Sequence, residues 1–248
     1  MRIAVFSDIH GNCFALDQVL ADLQRHPVDQ LVCLGDAVQG GARPAETVAR
    51  LRELGCPIVM GNADAWLLTG EVTSDNEAIS EEQEAVRQWS LARLSSDDRA
   101  FIASFQPTVE LPLEGGRRLL CFHGSPTSFD DLIFPETPED EFVRLLGPFA
   151  PAILTGGHTH LQQVRRLGET FFFNPGSVGV AYDRNQPDDA GRRLDPWAEY
   201  GVLSSEGDRL ALEFRRVPYD AGPLMAIIQA SGRPYAEAMA AEYSARAE

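Results

Sequence analysis

Short uninterrupted apolar runs recur along the chain: Ile3 to Phe6, Leu31 to Leu34, Pro57 to Met60, Leu119 to Phe122 and Ala152 to Leu154. Runs of this kind predict strands covered on both faces, since a half-solvated strand would alternate apolar with polar residues. Between the first three, Phe14 to Gln24 and Pro44 to Leu54 carry apolar residues at helical spacing, and the second is closed by Gly55 and Pro57. The alternation of strand and helix implies parallel βαβ units. From Ala78 to Phe105 the pattern is mostly helical and highly charged, which predicts a helical insertion over about residues 70–105 lying beside the sheet. After Phe149 strands dominate, at Gln162 to Leu167, Thr170 to Phe173, Tyr200 to Ser204 and Leu210 to Val217, before two final helices. Pro126 to Glu141 and Tyr182 to Pro196 are rich in turn formers and acids and read as loops. The expected fold is α/β, a two-layered β-sandwich flanked by helices, as a single domain over residues 1–248.

Composition narrows the function. A hydrophobic fraction of 44% with 23% charged residues excludes disordered and fibrous classes. No stretch approaches the roughly 20 apolar residues of a membrane span, and the N-terminus has no secretory pattern, so the expected location is the cytoplasm. Cys13, Cys33, Cys56 and Cys121 are scattered without CxxC spacing, which suits reduced thiols and indicates neither disulfides nor a zinc knuckle. The net charge of −16 disfavours broad binding to a nucleic-acid backbone and points to a small-molecule substrate. All 21 basic residues are arginine; without lysine, P-loop and Schiff-base chemistry drop out.

Each apolar run ends in a potential metal ligand. Asp8 and His10 follow the first run, Asp36 the second, Asn62 the third, His123 the fourth, and His158 and His160 the fifth. Groups just beyond the carboxyl ends of neighbouring strands converge on one crevice in an open α/β sheet. Two carboxylates, an amide and four imidazoles exceed the needs of one four-coordinate ion and suit two ions sharing a carboxylate. Two metals roughly 3.5 to 4 Å apart acidify water and clamp the oxygens of an in-line phosphoryl displacement, so phosphoester hydrolysis is the natural reaction. Taken singly, each residue has an ordinary alternative: Asp8 or Asn12 capping the helix that follows, Asp36 stabilising a turn, Asn62 capping a helix at Ala63 to Thr69. His26, beside Pro27, stands apart and reads as a surface residue at a helix end.

The residues Asp8-Ile9-His10, Gly35-Asp36, Gly61-Asn62, His123-Gly124 and Gly156-Gly157-His158-Thr159-His160 resemble, in that order, the five sequence blocks of the calcineurin-like metallophosphoesterases. Asn174-Pro175-Gly176-Ser177-Val178-Gly179 is similar to a segment of the small bacterial and archaeal phosphodiesterase branch, which extends the likeness over most of the chain. The resemblance implies a four-layer α/β/β/α sandwich and two divalent ions, Mn²⁺ by preference, with Fe, Ni, Co or Zn also compatible with the donor set. It implies that Asp8, His10 and His160 hold one ion, that Asn62, His123 and His158 hold the other, and that Asp36 bridges them. A hydroxide between the ions would be the nucleophile, with Asp36, Asn62 and His123 at the catalytic step. Asn12 is implied as a phosphate contact, with helix capping as its alternative. One departure stands out: many members place a histidine after the asparagine, where it protonates the leaving group, and this chain has Ala63. Asp64 then reads as a helix cap.

A cysteine-nucleophile phosphatase lacks a phosphate-cradling arginine at loop spacing, an aspartyl nucleophile lacks a second aspartate near Asp8, and a dinucleotide site lacks the glycine-rich turn after the first strand. The remaining alternative is a non-catalytic metal-binding scaffold or interaction module on the same fold. The acids Asp130, Asp131, Glu136 and Glu139 read first as a solvated surface loop, with discrimination against highly anionic substrates as the functional alternative.

Overall fold

In a computed structural model, which describes residues 1–71, 79–149, 153–186 and 192–243, the first apolar run forms β1 (Arg2–Phe6). It is apolar throughout because its two faces serve two cores. Ala4 and Phe6 pack with Ala15, Leu16 and Val19 of α1 (Cys13–Arg25), while Ile3 and Val5 pack into a second cluster against the opposite sheet. β2 (Gln30–Cys33) lies parallel to β1 with Val5 opposite Val32, completing a parallel β1–α1–β2 unit. β8 (Trp197–Glu206) pairs antiparallel on the other side of β1, and β9 (Arg209–Pro218) pairs antiparallel with β8, giving a four-stranded sheet ordered β2-β1-β8-β9.

The second sheet has five strands, β3 (Val109–Pro112), β4 (Arg118–Cys121), β5 (Ile153–Thr155), β7 (Thr170–Pro175) and β6 (Gln162–Leu167), in that spatial order. Its three central strands are parallel and its two edge strands antiparallel. Leu119, Cys121, Ile153 and Phe173 point into the sandwich with Ile3, Val5 and Val32. Leu120, Phe122, Leu154 and Phe172 point outward onto Phe142, Leu145 and Leu146 of α6 (Glu139–Leu146). Period-2 alternation thus sends each central strand into two apolar layers, and the result is the α/β/β/α order.

Three elements differ from the sequence expectation. Pro57 to Met60 runs beside β2 but makes only single bridges, Cys33 to Ile58 and Val59 to Gln106, so no ladder propagates. Val109–Pro112 is a strand that the pattern hides, because Glu110 and Pro112 face outward on an edge where a missing N–H is tolerated. The loop read over Pro126 to Glu141 ends at α6, whose first turn carries Glu139, Asp140 and Glu141 at the positive end of the helix.

In the helical region, α4 (Glu81–Leu91) and α5 (Ser96–Ala103) each begin with a capping box, Ser80 with Gln83 and Ser95 with Asp98. α2 (Pro44–Leu54) ends at Gly55, φ +59°, and α3 (Asn62–Thr69) starts directly behind the third apolar run. Two helices close the described chain, α7 (Ala221–Ala230) and α8 (Ala236–Ala241). Ala78, Ala152 and part of the Tyr182 to Pro196 loop lie outside the described residues. No helix among the described residues is long and apolar enough to cross a membrane.

Candidate metal centre

The loops leaving the strands are stitched together by main-chain hydrogen bonds. Asp8 N–H donates to Gly35 O (3.0 Å), His10 N–H to Asp36 O (2.8 Å) and Gly157 N–H to His123 O (2.8 Å). From the loop after β7, Val178 N–H donates to Ser7 O and Gly179 N–H to Asp8 O, both at 2.9 Å. Such close seating requires sharp backbone turns. Of six non-glycine residues with positive φ among the described residues, five are Asp8, His10, Asp36, His158 and His160, with φ between 48° and 67°. Left-handed backbone costs a non-glycine residue roughly 1 to 3 kcal/mol and gathers where function demands it. Glycines allow the close approaches beside the ligands: a Cβ at Gly61 would overlap Asp36 Oδ1, one at Gly157 would overlap Ser7 Oγ, and one at Gly179 would overlap Ile9 O.

These turns bring together donors that repel one another unless a cation lies between them. His10 Nδ1 is 3.0 Å from Gln39 O and His160 Nδ1 is 3.0 Å from Val180 O. A carbonyl oxygen only accepts, so both Nδ1 atoms carry a proton and the two Nε2 atoms, 3.2 Å apart, converge as ligand atoms. Asp8 Oδ1 sits 3.2 Å from His160 Nε2, buried and without a hydrogen bond.

The second group repeats the arrangement. His123 Nδ1 donates to Leu34 O (2.8 Å), which turns Nε2 toward two more acceptors, Asn62 Oδ1 (3.0 Å) and Asp36 Oδ2 (3.4 Å). The His158 ring lies 4.9 Å from that of His123. Asp36 stands between the groups. Its Oδ1 accepts from Ala63 N–H (2.8 Å) at the start of α3, leaving Oδ2 3.7 Å from His10 Nε2 as well as 3.4 Å from His123 Nε2. Asp8, His10 and His160 form one cluster of converging ligand atoms, and Asp36, His123 and His158 form another. Hard oxygen and borderline nitrogen donors at this density fit a pair of divalent ions.

Without an ion, protons supply the compensating charge. Burial works against a charge on His123, but the Asp36 carboxylate beside it lifts its pKa to about 9. Burial likewise opposes ionisation of Asp36, yet His123 and the other imidazoles hold it well below the usual carboxylate range. His158 is pushed down to about 4 by burial and by the neighbouring His123.

Asp64 is not a helix cap. The N-cap of α3 is Gly61, and the Asp64 carboxylate instead accepts from Ala37 N–H (2.9 Å) and Val38 N–H (3.0 Å), clamping the loop that carries Asp36. Burial and the Asp36 charge raise its pKa to about 7. Asn12 takes the helix-capping alternative of its two readings. It is the N-cap of α1, its Oδ1 accepting from Ala15 N–H (3.0 Å) and its amide donating to Gly179 O (3.1 Å) and Tyr243 Oη (3.4 Å), so its polar atoms are engaged in the interior.

Residue-by-residue reading gave no role to Asn174. Its amide donates to Gly157 O (2.6 Å) and Thr159 Oγ1 (3.0 Å), holding the loop of His158 and His160, while its Oδ1 accepts from Gly176 N–H. Ser177 Oγ donates to Asp8 O (2.8 Å). The strand-end signal would have found Asn174, because it follows the apolar run Phe171 to Phe173 as Asp36 follows its own run.

Above this floor a cleft of about 520 Å³ opens between α3, α4 and α8. His10, Asn62, Ala63 and His160 line its base, and Trp66 and Met239 its walls. Where the family resemblance would place a leaving-group acid, Ala63 offers the cleft only a methyl group. Of the four predicted acids only Asp130 lines it; Asp131 accepts from Ser125 Oγ (2.6 Å), and Glu136 pairs with Arg184 (2.6 Å).

Similar proteins carry the same organisation. The chain is 28% identical over 223 residues to an uncharacterized protein of Methanocaldococcus jannaschii, covering 88% of each. It is 26% identical over 216 residues to phosphodiesterase YfcE of Escherichia coli, covering 83% of this chain and 89% of that one. A crystal structure of a metallophosphoesterase from Sphaerobacter thermophilus superposes with a TM-score of 0.72 at 24% identity, over 99% of this chain and 98% of that one. A hypothetical protein from Pyrococcus horikoshii superposes with a TM-score of 0.78 at 18% identity, over 98% and 97% of the two chains, and shares the fold. Residues 1–190 match the model of the calcineurin-like phosphoesterase superfamily domain, and with this match over most of its length the chain belongs to that superfamily.

Proposed function

We propose that this metal-dependent phosphoesterase hydrolyses small-molecule phosphodiesters, using Asp8, His10 and His160 to hold one divalent ion and Asn62, His123 and His158 to hold another, with Asp36 shared between them. The observation that carries this reading is the convergence of ligand atoms at the floor: His10 Nε2 lies 3.2 Å from His160 Nε2, and His123 Nε2 lies 3.0 Å from Asn62 Oδ1 and 3.4 Å from Asp36 Oδ2. Divalent ions held there supply Lewis acidity, acidifying water toward neutral pH and neutralising charge on a phosphoryl group.

The chain's own residues do the positioning. Ala63 N–H fixes Asp36 Oδ1, so the carboxylate presents Oδ2 to both groups without rotating. The Gln39, Val180 and Leu34 carbonyls fix the tautomers of His10, His160 and His123, directing every Nε2 inward. Ala63 offers no proton to a departing alkoxide, so good leaving groups are favoured. Mn²⁺ is our choice of ion by the family resemblance, and the thiolate-free donor set accommodates Fe, Ni, Co or Zn as well. We read the chain as a single domain acting in the cytoplasm on non-nucleic-acid substrates, supported by its unpaired cysteines and its charge of −16.

The test is hydrolysis of bis(p-nitrophenyl) phosphate by metal-stripped protein with and without Mn²⁺. Turnover is expected only with metal, and Asp36→Asn should lower it on the order of 10³-fold. Silence of the wild-type protein with every divalent ion tried would instead favour a non-catalytic scaffold.

A further inference from the structure

The two histidines of one cluster are oriented by carbonyls that C-terminal residues hold in place. His160 Nδ1 donates to Val180 O and His10 Nδ1 to Gln39 O, both at 3.0 Å. Neither carbonyl belongs to a helix or a strand, so each stays where its loop is tied down.

The tie on the Val180 loop is Tyr243, which follows α8 and is only 5% exposed. Its Oη donates to Gly179 O (3.0 Å), and Asn12 Nδ2 donates to the same oxygen (3.1 Å), so both lone pairs of that carbonyl are engaged. On the other side of the same peptide group, Val180 N–H donates to Ser177 Oγ (2.8 Å). A planar peptide group held at both its C=O and its N–H is fixed in orientation, and the next carbonyl along is Val180 O, the one that orients His160. The same loop grips the Asp8 main chain, with Gly179 N–H and Ser177 Oγ both donating to Asp8 O, at 2.9 and 2.8 Å.

Arg233, in the turn between α7 and α8, acts on the loop of the other histidine. Its Nε donates to Gly40 O (2.7 Å), one residue beyond the carbonyl that accepts from His10, and its Nη1 donates to Pro234 O (2.6 Å), which anchors the guanidinium on its own turn. The two helices are fixed in turn by packing, since Leu224, Ile228, Ala240 and Tyr243 share an apolar cluster with Ala42 and Val180. The second group of ligands is oriented differently: Leu34 O, the acceptor for His123, comes directly off β2 in the core of the sandwich.

We propose that Tyr243 and Arg233 are positioning residues for the Asp8, His10 and His160 group, so that the C-terminal helices brace one ion of the pair and not the other. The inference rests on the two-ion reading of the floor and deepens it. Both residues lie beyond residues 1–190, the part that matches the superfamily model, so the brace is supplied by a part of the chain that carries none of the seven ligands. Without it, His160 and His10 sample orientations that do not ligate, and binding of the ion must restore the order.

The test is calorimetric titration of Mn²⁺ into metal-stripped protein, wild type against Tyr243→Phe and Arg233→Ala. His160→Ala identifies the binding event that belongs to the braced group, because loss of a ligand abolishes it. Tyr243→Phe keeps the ring and removes only the donor; it is expected to weaken that event about fivefold and to change the other less than twofold. Arg233→Ala should weaken the same event about threefold, although removing a positive charge by itself favours a cation, so the weakening comes from the lost donor. A second readout needs no metal: the Nδ1 proton of His160, identified by its absence from the spectrum of His160→Ala, should exchange with solvent faster in Tyr243→Phe while that of His123 is unchanged. A general loss of stability would weaken both events and speed both protons together. Equal weakening of the two events, or affinities and exchange within twofold of wild type, overturns the brace and leaves the two-ion reading intact. Failure of the wild-type protein to take up any divalent ion overturns both.

Discussion

The floor of the cleft and its walls are built in different ways. The floor comes from strand-end loops locked to one another by main-chain bonds such as His10 N–H to Asp36 O and Gly179 N–H to Asp8 O, with five residues in left-handed backbone. Its His10, His123 and His160 rings are oriented by backbone carbonyls, and its Asp8 and Asp36 carboxylates by the N–H groups of His158 and Ala63. The walls come from α3, α4, α8 and the chain beside them, where polar residues meet through side-chain pairs such as Arg192 with Glu242. Main-chain clamps hold a geometry to fractions of an ångström, while side-chain pairs near solvent contribute little and rearrange readily. Substitutions in the floor should therefore disturb the chemistry itself, and those in the walls the choice of substrate.

The largest effect expected in these comparisons after loss of Asp36 concerns the proton on His123. With a pKa of about 9, His123 must lose that proton before Nε2 can bind an ion, so apparent Mn²⁺ affinity should rise roughly thirtyfold from pH 7 to pH 8.5. Calorimetry in buffers of different ionisation enthalpy would count the proton released. The sign reverses for the metal-free fold: a raised histidine pKa stabilises it fully below the ordinary value of 6.5, and that contribution is lost as pH rises through about 9. A flat affinity profile would mean that the floor is already neutral when empty.

Next in size is Asn174→Ala, which removes the amide holding Gly157 O and Thr159 Oγ1 and should weaken metal binding about tenfold, as loss of an outer partner does. Should Mn²⁺ affinity stay unchanged, the floor does not depend on its clamps.

At the boundary between the regions, Ala63→His adds a proton donor beside Asn62. It is expected to raise turnover of alkyl esters relative to nitrophenyl esters by about fivefold, below the usual gain from a general acid because no residue is placed to orient the new ring. An unchanged ratio would show that leaving-group protonation does not limit this enzyme.

The smallest effect belongs to the wall. Asp130→Asn should lower KM for dianionic substrates about twofold, whereas Glu136→Gln, tied up with Arg184 outside the cleft, should change nothing. Equal responses from the two variants would show that overall charge, and not position in the cleft, governs selection.

Much of the floor was legible in the chain because its signals are local. A run such as Leu31 to Leu34 reads as a buried strand, and Asp36, just past its end, has to lie at the rim of the sheet. The same logic applied to Phe171 to Phe173 reaches Asn174. The β3 strand escaped because an edge strand tolerates Glu110 and Pro112, and the start of α6 was hidden among acids that suit a loop as well as a first helical turn. Asp64 was assigned the wrong partner and Asn12 was left between two readings, since a short polar side chain at a turn looks the same whether it caps its own helix, clamps a distant loop or touches a ligand.

The amino-acid sequence by itself determined the alternating two-faced strands, the order of the elements and the placement of Asp8, His10, Asp36, Asn62, His123, His158 and His160 at strand ends, because hydrophobic periodicity and chain adjacency act over a few residues. Tertiary structure alone decided which ligand atoms converge, that Asp36 lies between the two groups, and that Gln39 and Arg233, nearly 200 residues apart in the chain, line one cleft. Those relations depend on how two sheets and three helices pack, and a contact between distant residues leaves no periodic trace in either segment.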